Sequence, residues 1–304
     1  MHDPSQDDRD HLAGIGLVAA GALCWSTAGV AVRGISVDPW QITFWRSFFM
    51  VIAVSPAIWA RRRRLADEVR SAGWAMLASG TLLGAAFVCF ILAVAHTPVA
   101  NVLFLMACAP LLTTVIARIF FGESVALRTW VAIGAAGGGV AIMVGDSMRA
   151  DGVFGLALAL AVALCFSVNA NLVRRFRRVS MVPSVFLAGV VSMAATAPWA
   201  FPASAGPRDF ALLAFLGFVQ LGLGMMLYMA GARRVSAPQA MIVSLLEMVF
   251  GPVWVWLAFG ETASAWALAG GAVVLIAVAA DTWLGARAGR RSGIPPAPLP
   301  PMAD

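Results

Sequence analysis

The sequence predicts an all-α polytopic membrane protein in which ten transmembrane helices form two inverted five-helix repeats around a central cavity. Three observations carry that expectation. Of 304 residues, 61% are hydrophobic and only 12% charged, against about 25% charged in soluble domains, so lipid must cover surface that water would not. Ten apolar stretches recur, each long enough as a helix to cross hydrocarbon. Short blocks of the first half also reappear in the second at a nearly constant offset.

The stretches run Leu12–Val32, Trp40–Ala60, Ala72–Ala95, Val99–Phe121, Leu127–Val144, Gly152–Val173, Met181–Ala200, Phe210–Ala232, Gln239–Phe259 and Ala263–Leu284. The first follows an acidic leader (Asp3, Asp7, Asp8, Asp10) and exceeds the apolar core of a cleaved signal, so it reads as a span. In the third, Gly80 and Gly84 form a small-residue seam, as do Gly134 and Gly138 in the fifth; such seams let backbones approach, here within one chain. Pro98 opens the fourth span and Pro238 the ninth, where a missing N–H leaves no bond unmade. Glu123 and Glu261 each follow Phe-Gly at the end of those same spans and read as turn-fixing residues at a polar boundary. After the tenth, Gly285–Asp304 holds three arginines and five prolines, the composition of a disordered tail. The expected organisation is a leader (1–11), a first repeat (12–145), a second, inverted repeat (146–285) and the tail (286–304).

Orientation follows from arginine, because the chain has no lysine. Assigned alternately to two sides, the loops place sixteen arginines with the N-terminus: Arg9, Arg61 to Arg64, Arg70, Arg128, Arg174, Arg175, Arg177, Arg178, Arg233, Arg234, Arg287, Arg290 and Arg291. The other side has Arg33, Arg149 and Arg208, and Arg46 and Arg118 lie within spans. The positive-inside rule then puts both termini in the cytoplasm. Trp40, Trp59, Trp74, Trp199, Trp266 and Trp283 fall near span ends, as interfacial belts require.

The repeat is explicit in three blocks. Ala22-Leu23-Cys24-Trp25-Ser26 returns as Ala163-Leu164-Cys165-Phe166-Ser167 at an offset of 141; Thr97-Pro98-Val99-Ala100 as Ala237-Pro238-Gln239-Ala240 at 140; and Phe121-Gly122-Glu123 as Phe259-Gly260-Glu261 at 138. Five spans per copy is odd, so the second copy enters the membrane upside down. The arginine count demands the same inversion independently.

With Ala107-Cys108-Ala109-Pro110-Leu111 and Leu245-Leu246-Glu247-Met248-Val249 added, the chain from Leu12 to Leu284 resembles the drug/metabolite transporter superfamily, specifically its bacterial EamA-type exporters. Met248 stands where that family has proline, which puts a kink of span nine in doubt. The resemblance implies translocation through a cavity lined by spans one, three, four, six, eight and nine. Family substrates range over amino acids, nucleotide sugars, triose phosphates, S-adenosylmethionine and drugs; the overall look is nearest to exporters of aromatic amino acids. Another small metabolite or drug is the alternative.

Within the spans, polar side chains are costly and mark either a pathway or a helix contact. Glu247, midway along span nine, is the candidate for proton coupling; a hydrogen-bonded structural role is its alternative. Asn101, Asn169, Asn171 and Gln220 suit the amino and carboxyl groups of a zwitterion and equally suit interhelical bonding. Trp25, Ser26, Phe87, Phe90, Tyr228 and Ser244 complete the expected substrate contacts, an aromatic slot with hydroxyls beside it. Arg46 is expected to snorkel to the interface, with anion contact as the alternative.

Catalysis has little to stand on. Two of the three histidines precede the first span, and there is no His-Glu-xx-His helix, P-loop or GxGxxG turn. Cys24, Cys89, Cys108 and Cys165 all fall in spans and read as small packing residues, with no metal site. The expected partners are a small-molecule substrate and the bilayer, with no cofactor and no nucleic acid, for a monomer or homodimer.

Overall fold

A computed structural model describes residues 4–60, 62–148, 153–176, 182–201 and 203–291. Arg61, Arg149, Arg177 and Arg178 and the tail from residue 292 lie outside the described residues. Among the described residues, ten helices are long and apolar enough to cross a membrane: Asp10–Arg33, Pro39–Ala60, Trp74–His96, Val99–Phe121, Leu127–Gly145, Val153–Arg175, Pro183–Ala200, Pro207–Ala232, Pro238–Phe259 and Ala265–Arg287. They are called spans one to ten.

Two elements differ from the sequence expectation. Between spans two and three, where a loop was expected, Arg62–Ala72 is helical. Leu65, Val69 and Ala72 recur at helical spacing there, the pattern of a basic helix lying along an interface. The tenth helix also continues to Arg291, so the first residues of the expected tail are ordered. No proline lies between Ala265 and residue 295, and the Arg287 guanidinium sits 3.6 Å from the centroid of the Trp283 ring.

Helix ends gather on two faces. On the face carrying the termini, Trp74 meets Phe176 edge-on and Thr129 donates to Asp281 at 2.8 Å. On the opposite face, Trp40 packs on Trp199, the Ser36 N–H donates to Asp209, and the Ser204 N–H and hydroxyl donate to Gln41. Between the faces, neighbours are reciprocal. Span one packs on eight as six packs on three, and one meets nine as six meets four; two pairs with seven and five with ten.

Glycine sets the closest approaches. Gly14 and Gly21 of span one face Gly231 and Gly224 of span eight; a Cβ on Gly21 would stand 2.9 Å from the Gly224 carbonyl oxygen. Gly80 and Gly84 likewise press on span seven. The expected seam of span five is displaced by one residue. Gly134 and Gly138 meet nothing within 4 Å, while Gly139 lies against Gly270 of span ten. The cause is helical phase: Ala132, Ala136, Gly139 and Met143 form the buried stripe. Gly21→Val should therefore destabilise the fold by about 1–3 kcal/mol through overpacking, and Gly138→Val should not. Thermal melts of the two variants in detergent check this.

Four spans are irregular at depth. Span one breaks at Thr27, between Pro4–Ser26 and Ala28–Arg33. There the Ser26 and Thr27 hydroxyls donate back to the Leu23 and Cys24 carbonyls at 2.7 and 2.6 Å, bonds that bend helices. Span eight widens to π-helical geometry over Leu216–Leu223. Span four divides into Val99–Met106 and Ala109–Phe121, with Pro110 in the first turn of the second piece. Span nine divides at the matching place, into Ala237–Ser244 and Leu246–Phe259. The kink that Met248 put in doubt is thus present without a proline there. Three-residue bonds, Leu245 N–H to the Ile242 carbonyl and Met248 N–H to the Leu245 carbonyl, tighten the chain, and Pro252 one turn on leaves the Met248 carbonyl without its helical donor. Gly122 and Gly260 end these spans with φ of 66° and 67°, a left-handed turn that glycine adopts without strain.

Candidate functional site

Interruptions in membrane helices occur where backbone and side chains line a pathway rather than face lipid. The breaks in spans one and nine hold Trp25 and Ser244 on either side of Tyr228 from span eight. Trp25 and Tyr228 rings lie 5.1 Å apart, and the Ser244 hydroxyl, beside Tyr228, donates to the Ala240 carbonyl at 2.7 Å. Trp25 reaches this position because Gly224 has no side chain: a Cβ there would lie 2.7 Å from the indole nitrogen. Glu247 follows Ser244 by one turn, in the first turn of Leu246–Phe259, and is half-buried. A carboxylate at that end of a helix faces unpaired amides and the positive end of the dipole.

Arg46 is the residue that sequence reasoning misplaced. It does not snorkel. Its side chain turns into the bundle and is only 4% exposed, with the guanidinium carbon 5.7 Å from the Phe87 centroid and 5.5 Å from that of Phe90. Nε and Nη1 have no hydrogen-bond partner among the described residues. Arg46 and Glu247 act on each other electrostatically. A cation over two desolvated rings gains about 2 kcal/mol or more, and the opposing charge compensates further. The legible signal was the face rather than the depth: Ile42, Thr43, Arg46, Ser47 and Met50 are one buried stripe, tied to span seven by a 2.5 Å hydrogen bond between Ser47 and Ser192.

The remaining candidates divide. Gln220 is buried on the π-helical turn of span eight, its carbonyl oxygen unpartnered among the described residues. Ser26 accepts from the Trp254 indole at 2.9 Å, linking spans one and nine. Asn169 accepts from Ser79 at 2.6 Å, and Asn171 donates to the Thr113 carbonyl at 2.9 Å. Those two hold span six to spans three and four. Asn101 donates to Thr97 at 3.4 Å, at the beginning of span four. The structure therefore gathers Trp25, Tyr228 and Ser244, and separately Phe87 and Phe90 around Arg46. It engages Asn101, Asn169 and Asn171 in hydrogen bonds to Thr97, Ser79 and the Thr113 carbonyl.

Glu123 and Glu261 stand at the turns where the sequence put them, and each pairs with an arginine of the other half. Glu261 bonds Arg33 at 2.7 Å and accepts the Val99 N–H at 2.9 Å, while Arg33 also donates to the Thr97 carbonyl at 3.2 Å. Glu123 bonds Arg174 at 2.5 Å. The first pair is about one-quarter exposed and the second about one-half. Arg33 and Arg174 are separated by the same 141 residues as the first repeated block, so the two latches correspond, one on each face. Crevices of about 250 and 260 Å³ open beside span nine, toward the opposite face and toward the termini respectively; neither is lined by Trp25, Arg46 or Glu247.

Comparison with known proteins adds three findings. The model of the EamA-like transporter family matches twice, over residues 12–145 and 153–280. The pseudopaline exporter CntI of Pseudomonas aeruginosa (strain UCBPP-PA14) is 25% identical over 242 residues, 78% of this chain and 84% of that protein. A solved crystal structure shares the fold with a TM-score of 0.60 at 19% identity, covering 92% of this chain and 99% of the other.

Proposed function

This chain belongs to the EamA-like transporter family, and we propose that within it the protein is a secondary exporter of hydrophobic and aromatic amino acids, working by alternating access between two inverted repeats. The observation that carries the substrate class is the pairing of Trp25 with Tyr228 at the broken helices, beside half-buried Glu247. A ring pair of this kind gives a planar side chain somewhere to stack, and Ser244 gives it a polar edge. Similarity to an exporter of another small molecule supports the direction of transport.

Reconstituted protein should take up aromatic amino acids in preference to sugars and cationic drugs. Trp25→Ala should lower aromatic uptake about two- to tenfold, the worth of one aromatic contact. A panel of labelled compounds in proteoliposomes, with and without a pH gradient, measures both. Equal uptake across the panel would remove the aromatic assignment.

Alternating access is supported by the corresponding latches. In the present state the face opposite the termini is tied by Arg33, Glu261 and Val99, and the corresponding latch on the terminal face is the more exposed Arg174–Glu123 pair. With the arginine-rich loops cytoplasmic, the less exposed latch lies on the outer face. Reporter fusions after Arg149 and after Arg291 should report opposite sides of the membrane; the same side for both refutes the inversion.

A further inference from the structure

We propose that Arg46 is the carboxylate anchor of the transport site, so that the substrate is a zwitterion whose carboxylate it binds and whose ammonium group meets Glu247. The inference rests on the exporter reading above and narrows it, because it makes a free carboxylate a requirement and not a feature of the substrate.

Geometry argues for it in three steps. A structural arginine inside a membrane bundle has its donors taken up by acids or backbone carbonyls. Arg46 is 96% removed from solvent, and its Nε and Nη1 remain open among the described residues. Nε lies on the side edge of the planar group and Nη1 on its end, each beside Nη2, and either edge is a fork that accepts both oxygens of a carboxylate. The rings of Phe87 and Phe90 hold the guanidinium by its face, which fixes its orientation and leaves the edge available.

Charge balance then selects the ligand. Arg46 and Glu247 are opposite charges acting on each other within the bundle. A ligand with one charge, entering between them, would compensate one and leave the other uncompensated in a medium of low dielectric. A zwitterion compensates both. An aromatic body completes the fit, since the rings of Phe87 and Phe90 flank the guanidinium.

Proteoliposome exchange of L-phenylalanine and of L-phenylalaninamide, which keeps the ring and ammonium and lacks the carboxylate, tests the anchor. Wild-type protein should prefer the acid by about 10- to 100-fold, the range expected for hydrogen bonds to a charged group. Arg46→Gln should erase that preference, and Arg46→Lys should restore part of it. Thermal melts of each variant establish that the fold survives. Should Arg46→Gln fail to fold, the wild-type preference and Arg46→Lys decide. Equal carriage of acid and amide by the wild type overturns the anchor and leaves the exporter reading standing, as does an undiminished preference in Arg46→Gln. If no amino acid is carried at all, the exporter reading itself falls, and the anchor with it.

Discussion

Glu247→Gln should abolish the pH-gradient-driven component of transport and weaken downhill exchange, while leaving the fold intact. Glutamine keeps the size and hydrogen-bonding capacity of the side chain and removes only the exchangeable proton. The carboxylate lies midway along span nine, just past its break, half-buried and in the field of Arg46. A carboxylate in that position that exchanges a proton for a cationic group would couple an incoming proton to a departing substrate. The check is uptake with and without an imposed gradient, in wild type and variant. A gradient response that survives in Glu247→Gln assigns the residue a structural role. A wild type indifferent to the gradient describes a facilitator.

Most of the fold was legible because the bilayer allows so few solutions. A chain that must satisfy its backbone in hydrocarbon forms helices of about twenty apolar residues, and the ten expected stretches agree with the ten helices to within a few residues. The turns after spans four and nine were legible for a local reason, since Phe-Gly-Glu encodes a left-handed glycine. What the sequence hid depends on partners far along the chain. The break in span nine carries no proline at its own position, so its interruption depends on surroundings and on Pro252. Arg46 was misread because depth alone does not say whether a long side chain rises to the interface or turns inward; Phe87, Phe90 and Glu247 decide that. Asn101, Asn169 and Asn171 present the chemistry of a ligand site and of helix glue alike, and only the positions of Thr97, Ser79 and Thr113 separate the two.

The two latches should respond unequally to loss of charge. Glu261 has two partners, Arg33 and the Val99 N–H, and Arg33 adds a bond to the Thr97 carbonyl, so one carboxylate joins the ends of spans one, three, four and nine. At about one-quarter exposure these charge-assisted bonds are worth roughly 1.5–3 kcal/mol each. Glu123 and Arg174 are half exposed, where an ion pair contributes about 0.2–1 kcal/mol. Glu261→Gln should accordingly shift the population toward a state open on that face by about tenfold or more, and Glu123→Gln should leave the balance nearly unchanged. Ala100, buried beneath the Glu261 latch and lining its crevice, is a reporter position. With Cys24, Cys89, Cys108 and Cys165 replaced, Ala100→Cys should be slow to react with an impermeant thiol reagent added from outside. Glu261→Gln should accelerate that reaction, with saturating substrate modulating the rate in wild type and variant alike. Equal rates in the Glu261→Gln and Glu123→Gln backgrounds would show that the pairs brace the loops without governing access, and the basis of the transition would then have to be sought in the broken helices, where spans four and nine already part at matching residues.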